Sequence, residues 1–424
     1  INATRLFSTL YGQTLNVGRV MTPTLAMAVM REAAISAFKS EPFYTVQLAM
    51  DGFTASSERF KKQSEAEALR TACNGQMAKV TKAERKEKSE KPPALYDLTS
   101  LQRDANRVLG YTAQQTLDYT QSLYEKKLCT YPRTDSQFIT DDMADTALRR
   151  VSLVCEHIEC CKEISVPEPD IKRIVNNSKV SDHHALLPTD EIATADITAL
   201  PEGERSILFL ISAKLVCAVA SPHKYEAVKV KLNCENTAFS ASGRTVMSDG
   251  WKQLEASIKN RLKGNDDNED KEEQEKSLPE LSQGQVFERV SADISEHFTT
   301  PPKPFTEDTL LKAMETAGNK DYDEDSDVEK KGLGTPATRA SIIEGLVKRG
   351  YLERKKKQLN ATEKGINLID VVPDEVKSAK MTADWESELQ NIEKGNSSAS
   401  DFMQNIERFT SDICKRYCSI AENK

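Results

Sequence analysis

The chain has 424 residues and a formal net charge of −8, a length that fits roughly two to four domains of about 100–200 residues each. It holds no run of about 18 apolar residues, which argues against a helix that crosses a membrane. Nine cysteines, an odd count at irregular spacing, argue against a secreted disulfide framework and for a reducing compartment.

The N-terminus opens on Ile1 in "INATRLFSTLYGQ", without a signal-peptide layout. It reads as a chain whose upstream part has been removed. The first 37 residues pattern as helix, interrupted from Gly18 to Pro23. From Glu41, "FYTVQLAMDGFTASS" alternates like strand and turn, and "AKVTKAERKEKSEKPP" reads as a strand leading into a basic connector. From Leu95 to about Val219 the helical period returns, broken at Tyr131–Ser136 and His183–Thr189. Residues 224–250 and 281–302 are strand-rich, and the chain is helical again from Thr306, with one interruption. The order α, β, α, β, α suits a nested arrangement. The two β segments join in one domain, the middle α segment is inserted into it, and the outer α segments pack together.

Charge is unevenly spread. Residues 265–276 hold seven acids and two lysines, and residues 321–330 hold six acids and one lysine. Each stretch is −5, which leaves the rest of the chain at +2. Acidic runs of this kind read as solvated loops. A basic groove elsewhere stays compatible with the overall sign, because binding responds to the local field.

Residues 335–370 read as helix, basic hairpin, helix. Pro336 and Thr338 start the first helix, with Thr338 as its N-cap, and Gly350 ends it. "YLERKKKQLNAT" is the hairpin and Thr362 caps the second helix. This is the plan of a winged-helix module, although a packing module with a solvated lysine run fits the same pattern.

Three stretches carry candidate chemistry. In "CTYPRTDSQFIT" Pro132 favours extended backbone at Tyr131, so Tyr131 and Arg133 share a face and could hold one anion. A phenol with an ordinary pKa of about 10 needs help to attack at neutral pH, and a guanidinium supplies it. By residue type alone a structural Tyr-Pro turn is the plainer reading. "SDHHALLPTD" places His183 beside His184, of which only one would face a given ligand if the segment is helical. "NVGRVMTPTLA" and "KGLGTPATRA" are capped helix starts that could also place Arg19 and backbone N–H groups on a phosphate. Cys155, Cys160 and Cys161 with His157, or Cys414 with Cys418, are thin metal candidates, and free thiols are the simpler reading.

Six ordered segments together resemble the type IA DNA topoisomerases, the topoisomerase III branch most closely. They are "NVGRVMTPTLA", "LYDLTSLQRDAN" with "GYTAQQTLDYTQSLYEKKLCTYPRTDS", "SDHHALLPT", "PPKPFTEDTLLKAME", "GLGTPATRASIIEGLVKRGYLE" and "MTADWESELQNIEKG". The resemblance implies a multidomain α+β fold, with helical domains joined by a β-rich hinge in a gate and arch. It implies a helical base at 1–40 and 303–424, a hinge at 41–95 and 222–302, and a helical domain at 96–221 that carries the tyrosine.

It also implies that Tyr131 is the nucleophile forming a 5′-phosphotyrosine. Arg133 would stabilise the scissile phosphate and His183 would be the catalytic histidine, with His184 beside it. Arg19, Thr134, Asp135, Thr189, Thr338, Arg339 and Arg349 would face DNA. Met21 stands where the family usually has glutamine. Mg²⁺ would be held by a Toprim domain preceding Ile1 in the full-length enzyme, with no metal site expected in this chain and no activity expected from it alone. The implied partner is single-stranded or underwound DNA, with a helicase as a further candidate. The protein would be a monomer in the bacterial cytoplasm. The competing reading is a winged-helix protein that binds single strands without cutting them.

Overall fold

The computed structural model describes residues 2–162, 164, 166–263, 277–317 and 332–422. The two acidic stretches, 265–276 and 321–330, lie outside the described residues, as does the side chain of Cys418.

A seven-stranded antiparallel sheet is built from β1 (Pro42–Met50), β2 (Phe53–Ser56), β3 (Ala78–Glu90), β4 (His223–Cys234), β5 (Thr237–Ser248), β6 (Val286–Phe287) and β7 (Ser291–Phe298). Its order is β6-β3-β4-β5-β2-β1-β7. β6 and β7 are opposite edges, yet only residues 288–290 separate them in sequence. That connection reaches about 14 Å at most, whereas the edges of a flat seven-stranded sheet stand about 29 Å apart. The sheet must therefore curl until its edges approach. Val46, Leu48, Val228, Val230, Leu232 and Phe239 fill the inside, together with Ala66 and Cys73 of the helix Gln63–Cys73.

The stretch expected to be a basic connector is strand. β3 runs through "AERKEKSE" and pairs with β4 from Lys79 to Glu90. Lys79, Lys82, Lys86, Lys229 and Lys231 of this pair are exposed.

A second core gathers the helix Met21–Ser36, Phe7 and Leu15 with residues from 305 onward, including Leu310, Ile343, Leu346, Tyr351 and Leu368. The early helix break falls at Tyr11–Val20 rather than Gly18–Pro23, and Pro23 sits in the first turn of the second helix. There its missing N–H costs nothing. Strands β8 (Phe305–Thr306), β9 (Leu352–Lys355) and β10 (Gln358–Ala361) form a small sheet in the order β8-β10-β9. Flanked by the helices Glu307–Glu315, Pro336–Lys348 and Glu363–Val371, it completes a winged-helix layout. The N-cap of Pro336–Lys348 is Thr335, not Thr338; the two exchange reciprocal bonds, with Thr338 at the third helical position. The glycines before it are structural. A Cβ at Gly332 would lie 2.1 Å from the Met314 carbonyl oxygen, and Gly334 has a φ of +71°.

The third core takes in Leu128, Cys129 and Leu186, beside the tyrosine's loop. Its helices are Leu98–Leu109, Ala113–Glu125, Ala144–His157 and Glu202–Ala218. Leu101, Leu123, Val154, Ile207 and Ile211 lie between them. The breaks expected at Tyr131–Ser136 and His183–Thr189 are wider than the pattern suggests: residues 128–140 and 171–200 are extended segments and short 3-10 turns.

Candidate active site

The helix Ala113–Glu125 starts on a reciprocal cap between Thr112 and Gln115. It ends where Lys127 takes a left-handed φ of 62°. There the N–H groups of Lys127 and Leu128 reach back to the carbonyls of Tyr124 and Leu123, each at 2.9 Å. This reversal sends the chain out extended, alongside the histidine segment. Thr130 N–H donates to Leu187 O at 2.9 Å, and Thr189 N–H donates to Leu128 O at 3.1 Å. The Thr130 hydroxyl accepts from Leu187 N–H at 3.0 Å and donates to Ala185 O at 3.3 Å. On the other side Leu186 N–H donates to Tyr96 O at 2.8 Å, and Leu98 N–H donates to Thr134 O at 3.1 Å. Three segments far apart in sequence are thus registered by backbone bonds.

Burial alternates along the loop. Pro132, Thr134 and Ser136 point inward; Tyr131 is half-buried, and Arg133 and Asp135 are exposed. In extended backbone this puts Tyr131, Arg133 and Asp135 on one face. The inward side chains are anchors. Thr134 donates to His183 O at 3.1 Å, and Ser136 Oγ donates to Lys179 O at 2.8 Å. Gln137 Nε2 donates to Asp97 Oδ2 at 2.9 Å. Asp97 also caps the helix Leu98–Leu109 through Ser100 N–H at 2.7 Å. The Asp97–Ser100 spacing in "YDLTSLQ" is a readable cap signal; nothing local marks Thr130 or Gln137.

The Tyr131 ring lies 4.4 Å from the exposed His183 ring, tilted by 45°, and 5.5 Å from Tyr124, edge-on. Among the described residues, no protein group bonds the Tyr131 hydroxyl or the Arg133 guanidinium. His184 plays a different part. Its Nδ1 lies 2.7 Å from Ala185 O. A carbonyl only accepts, so Nδ1 carries the proton and Nε2 keeps its lone pair. Burial pulls the His184 pKa below the ordinary imidazole value, and the charge of Arg150 pulls the same way.

A family model described as DNA topoisomerase matches residues 1–404. The chain belongs to the type IA DNA topoisomerases. Its relatives place it on the topoisomerase III side of that family. It is 37% identical to DNA topoisomerase 3 of Bacillus licheniformis over 427 residues, covering 96% of this chain and 57% of that protein. It is 35% identical to DNA topoisomerase 3 of Bacillus subtilis, covering 98% of this chain and 58% of that one. Full-length topoisomerase I from Thermotoga maritima has the same fold, with a TM-score of 0.74 at 23% identity over 97% of this chain and 65% of that one. The chain therefore spans a little over half the length of the curated relatives it matches.

Of the remaining candidate residues of this topoisomerase chain, Thr134 and Thr189 bond within the Tyr131 shell and Asp135 shares its face, whereas Arg19, Thr338, Arg339 and Arg349 belong to segments of the winged-helix core. Arg19 pairs with Glu386 at 2.6 Å and lines a cleft of about 460 Å³ with Met381, Trp385 and Phe409. Thr338 is exposed but engaged in the Thr335 cap. Arg349 is exposed at the end of the same helix and donates to Gly345 O at 3.0 Å. The Thr189 hydroxyl donates to Lys127 O. Thr134 is buried on His183, and its hydroxyl also accepts from Ser136 N–H. Arg339 was expected to face DNA. It is instead 5% exposed and bonds Leu333 O at 3.2 Å and Thr99 Oγ1 at 3.1 Å.

The described cysteines are free thiols. Among the described residues, no group of three or more His, Cys, Asp or Glu side chains is placed to hold a metal ion. The Mg²⁺ implied by the family resemblance does not fit these residues.

Proposed function

We propose that this chain carries the strand-cutting tyrosine of a type IA topoisomerase and acts on single-stranded or underwound DNA. The observation that carries the reading is the Tyr131 ring tilted against the His183 ring at 4.4 Å, with the Arg133 guanidinium on the same face and, among the described residues, without a partner. The phenol oxygen attacks a backbone phosphorus, an O–P bond forms, and the bond to the 3′-oxygen breaks. The phenol gives up its proton and the leaving 3′-oxygen takes one, with no redox change. Arg133 offsets charge on the phosphate, and His183 is the imidazole at the nucleophile. Because the tyrosyl ester conserves the bond, the reverse step reseals the strand. Tyr131 lies in a core spanning about 96–221, which we read as one domain. The curled sheet is the hinge, and the winged-helix core is the base. The exposed lysines of β3 and β4 supply a local positive field for a polyanion. The carboxylates for Mg²⁺ would come from outside the described residues, and the chain alone is expected not to relax supercoiled DNA.

The test mixes the chain with a 3′-labelled single-stranded oligonucleotide, Mg²⁺ and the separately made metal-binding domain of a full-length relative, then denatures it. The expected result is a label that stays on the protein and disappears in Tyr131→Phe. Label retained in Tyr131→Phe would remove the assignment. Binding without any adduct would favour the second reading, a single-strand binder built on the winged-helix layout of β8, β9 and β10.

A further inference from the structure

The third core contains an ion cluster that the strand-cutting reading does not use. Asp104 stands on the helix Leu98–Leu109 and Lys214 on the helix Glu202–Ala218. Asp104 Oδ2 accepts from Lys214 Nζ at 2.9 Å and from the Tyr96 hydroxyl at 2.7 Å, and its Oδ1 accepts from Arg107. The Lys214 ammonium also lies 4.3 Å from the centre of the Tyr96 ring. The Asp104 and Lys214 side chains are largely buried, and Tyr96 is buried.

Burial pushes the Asp104 carboxyl up, but Lys214 and Arg107 outweigh it and hold the group below its ordinary value. Burial, and then Asp104, push the Tyr96 phenol well above its own. A phenol that keeps its proton thus donates to a carboxylate, and such charged bonds are stronger than neutral ones. The two helices meet through Asp104 and Lys214 without this phenol. What the phenol adds is a fixed Tyr96, and the candidate site is hung on that residue. The Tyr96 carbonyl accepts from Leu186 N–H at 2.8 Å. Leu187 in turn bonds Thr130 through both its N–H and its carbonyl, next to Tyr131. On the other side Asp97 takes Gln137, and Leu98 N–H donates to Thr134 O. A buried ion pair is a poor source of net stability, so the place it gives to Tyr96 matters more than its energy.

We propose that Asp104 is a positioning residue for the candidate active site. By holding the Tyr96 hydroxyl it sets the place of the Tyr96 carbonyl, and with it the register of the histidine segment against the Tyr131 loop. The Tyr131–His183 ring contact then takes its geometry from a carboxylate on another element. The consequence for cleavage rests on the strand-cutting reading; the control of register does not.

Tyr96→Phe removes the tether and leaves Asp104 with Lys214 and Arg107. In hydrogen exchange on the whole chain, without DNA, the Leu186 amide should then exchange about tenfold faster, as expected for loss of one charged hydrogen bond. The Ile211 amide of Glu202–Ala218 should stay unchanged, and cross-relaxation between the Tyr131 and His183 rings should weaken. Asp104→Asn keeps a weaker acceptor for the phenol. It should speed Leu186 less than Tyr96→Phe does, and add nothing to it in the double variant. An unchanged Leu186 amide and ring contact in Tyr96→Phe would overturn the proposal. So would an equal rise at Ile211, which marks general loosening, or an effect of Asp104→Asn that persists without the phenol. In the adduct test, Tyr96→Phe should react about tenfold more slowly at saturating oligonucleotide, with its affinity for the oligonucleotide unchanged; an undiminished rate would overturn the role in cleavage. A lack of adduct in the unmutated chain would count against the strand-cutting reading alone, and the Leu186 and ring measurements would still decide the positioning.

Discussion

The tyrosine shell and the winged-helix segment are assembled in opposite ways. The shell draws on residues near 96, 130 and 186, and its hydrogen bonds run between those stretches. The winged helix draws most of its parts from residues 335–371 in sequence order, and its cap, turn and hairpin bonds are local. One of its long links is Tyr351, which is fully buried and whose hydroxyl accepts from Asn16 N–H at 2.9 Å. Local assembly gives an element that its own pattern specifies; distant assembly gives one whose register depends on a few cross-segment bonds.

The largest expected effect probes that long link. Tyr351→Ala removes a fully buried ring and leaves a cavity, and should lower stability by about 3–5 kcal/mol. Urea unfolding followed by a probe in the winged-helix core should show the shift. Tyr351→Phe keeps the packing, loses only the hydroxyl's bonds, to Asn16 N–H and to Thr14 O at 3.4 Å, and should cost about 1–2 kcal/mol. Equal losses in the two variants would mean that the segment depends on its distant partner more than on its own packing.

A smaller effect is expected where the shell has no local support. Thr130→Val keeps the shape but leaves Leu187 N–H without its acceptor, at a cost of about 1–3 kcal/mol. The Tyr131–His183 ring contact should weaken with it, as read from cross-relaxation between the two rings, and Thr130→Ser should restore it. An unchanged ring contact in Thr130→Val would show that Thr134 on His183 suffices to hold the register.

What the sequence made legible follows the same division. The winged-helix order and the shared face of Tyr131 and Arg133 rest on local periodicity, and both are present in the structure. The cap was misplaced by three residues because Thr335 and Thr338 bond each other, and Pro336 at the first helical position is the signal that tells them apart. β3 escaped notice as a strand beyond Val80 because most of its later side chains are exposed. Its pairing with β4, not burial, makes it a strand. The helix Gln63–Cys73 buries only Ala66 and Cys73, too few for a readable stripe. The family resemblance placed Arg339 toward DNA, and nothing in the local sequence reports its burial. Adjacent histidines were equivalent until the Ala185 carbonyl tied down one ring and Tyr131 met the other.

That last difference yields the smallest predicted effect, and it concerns protons rather than packing. His184 is held neutral in the folded chain, by burial first and Arg150 next. The unfolded chain takes up the same proton near the ordinary value of about 6.5. The folded form therefore binds fewer protons than the unfolded one just below that pH, and stability falls as pH drops. The contribution is intact above about 6.5 and is lost as pH falls through the lower folded midpoint. His184→Asn should remove this step from a plot of unfolding midpoint against pH. Arg150→Met should keep the step but move the His184 imidazole midpoint upward, read by nuclear magnetic resonance titration. A midpoint for His184 at or above the ordinary value would mean that the Ala185 bond, which favours the proton on Nδ1, outweighs burial. The division of roles between the two histidines would then have to rest on position alone.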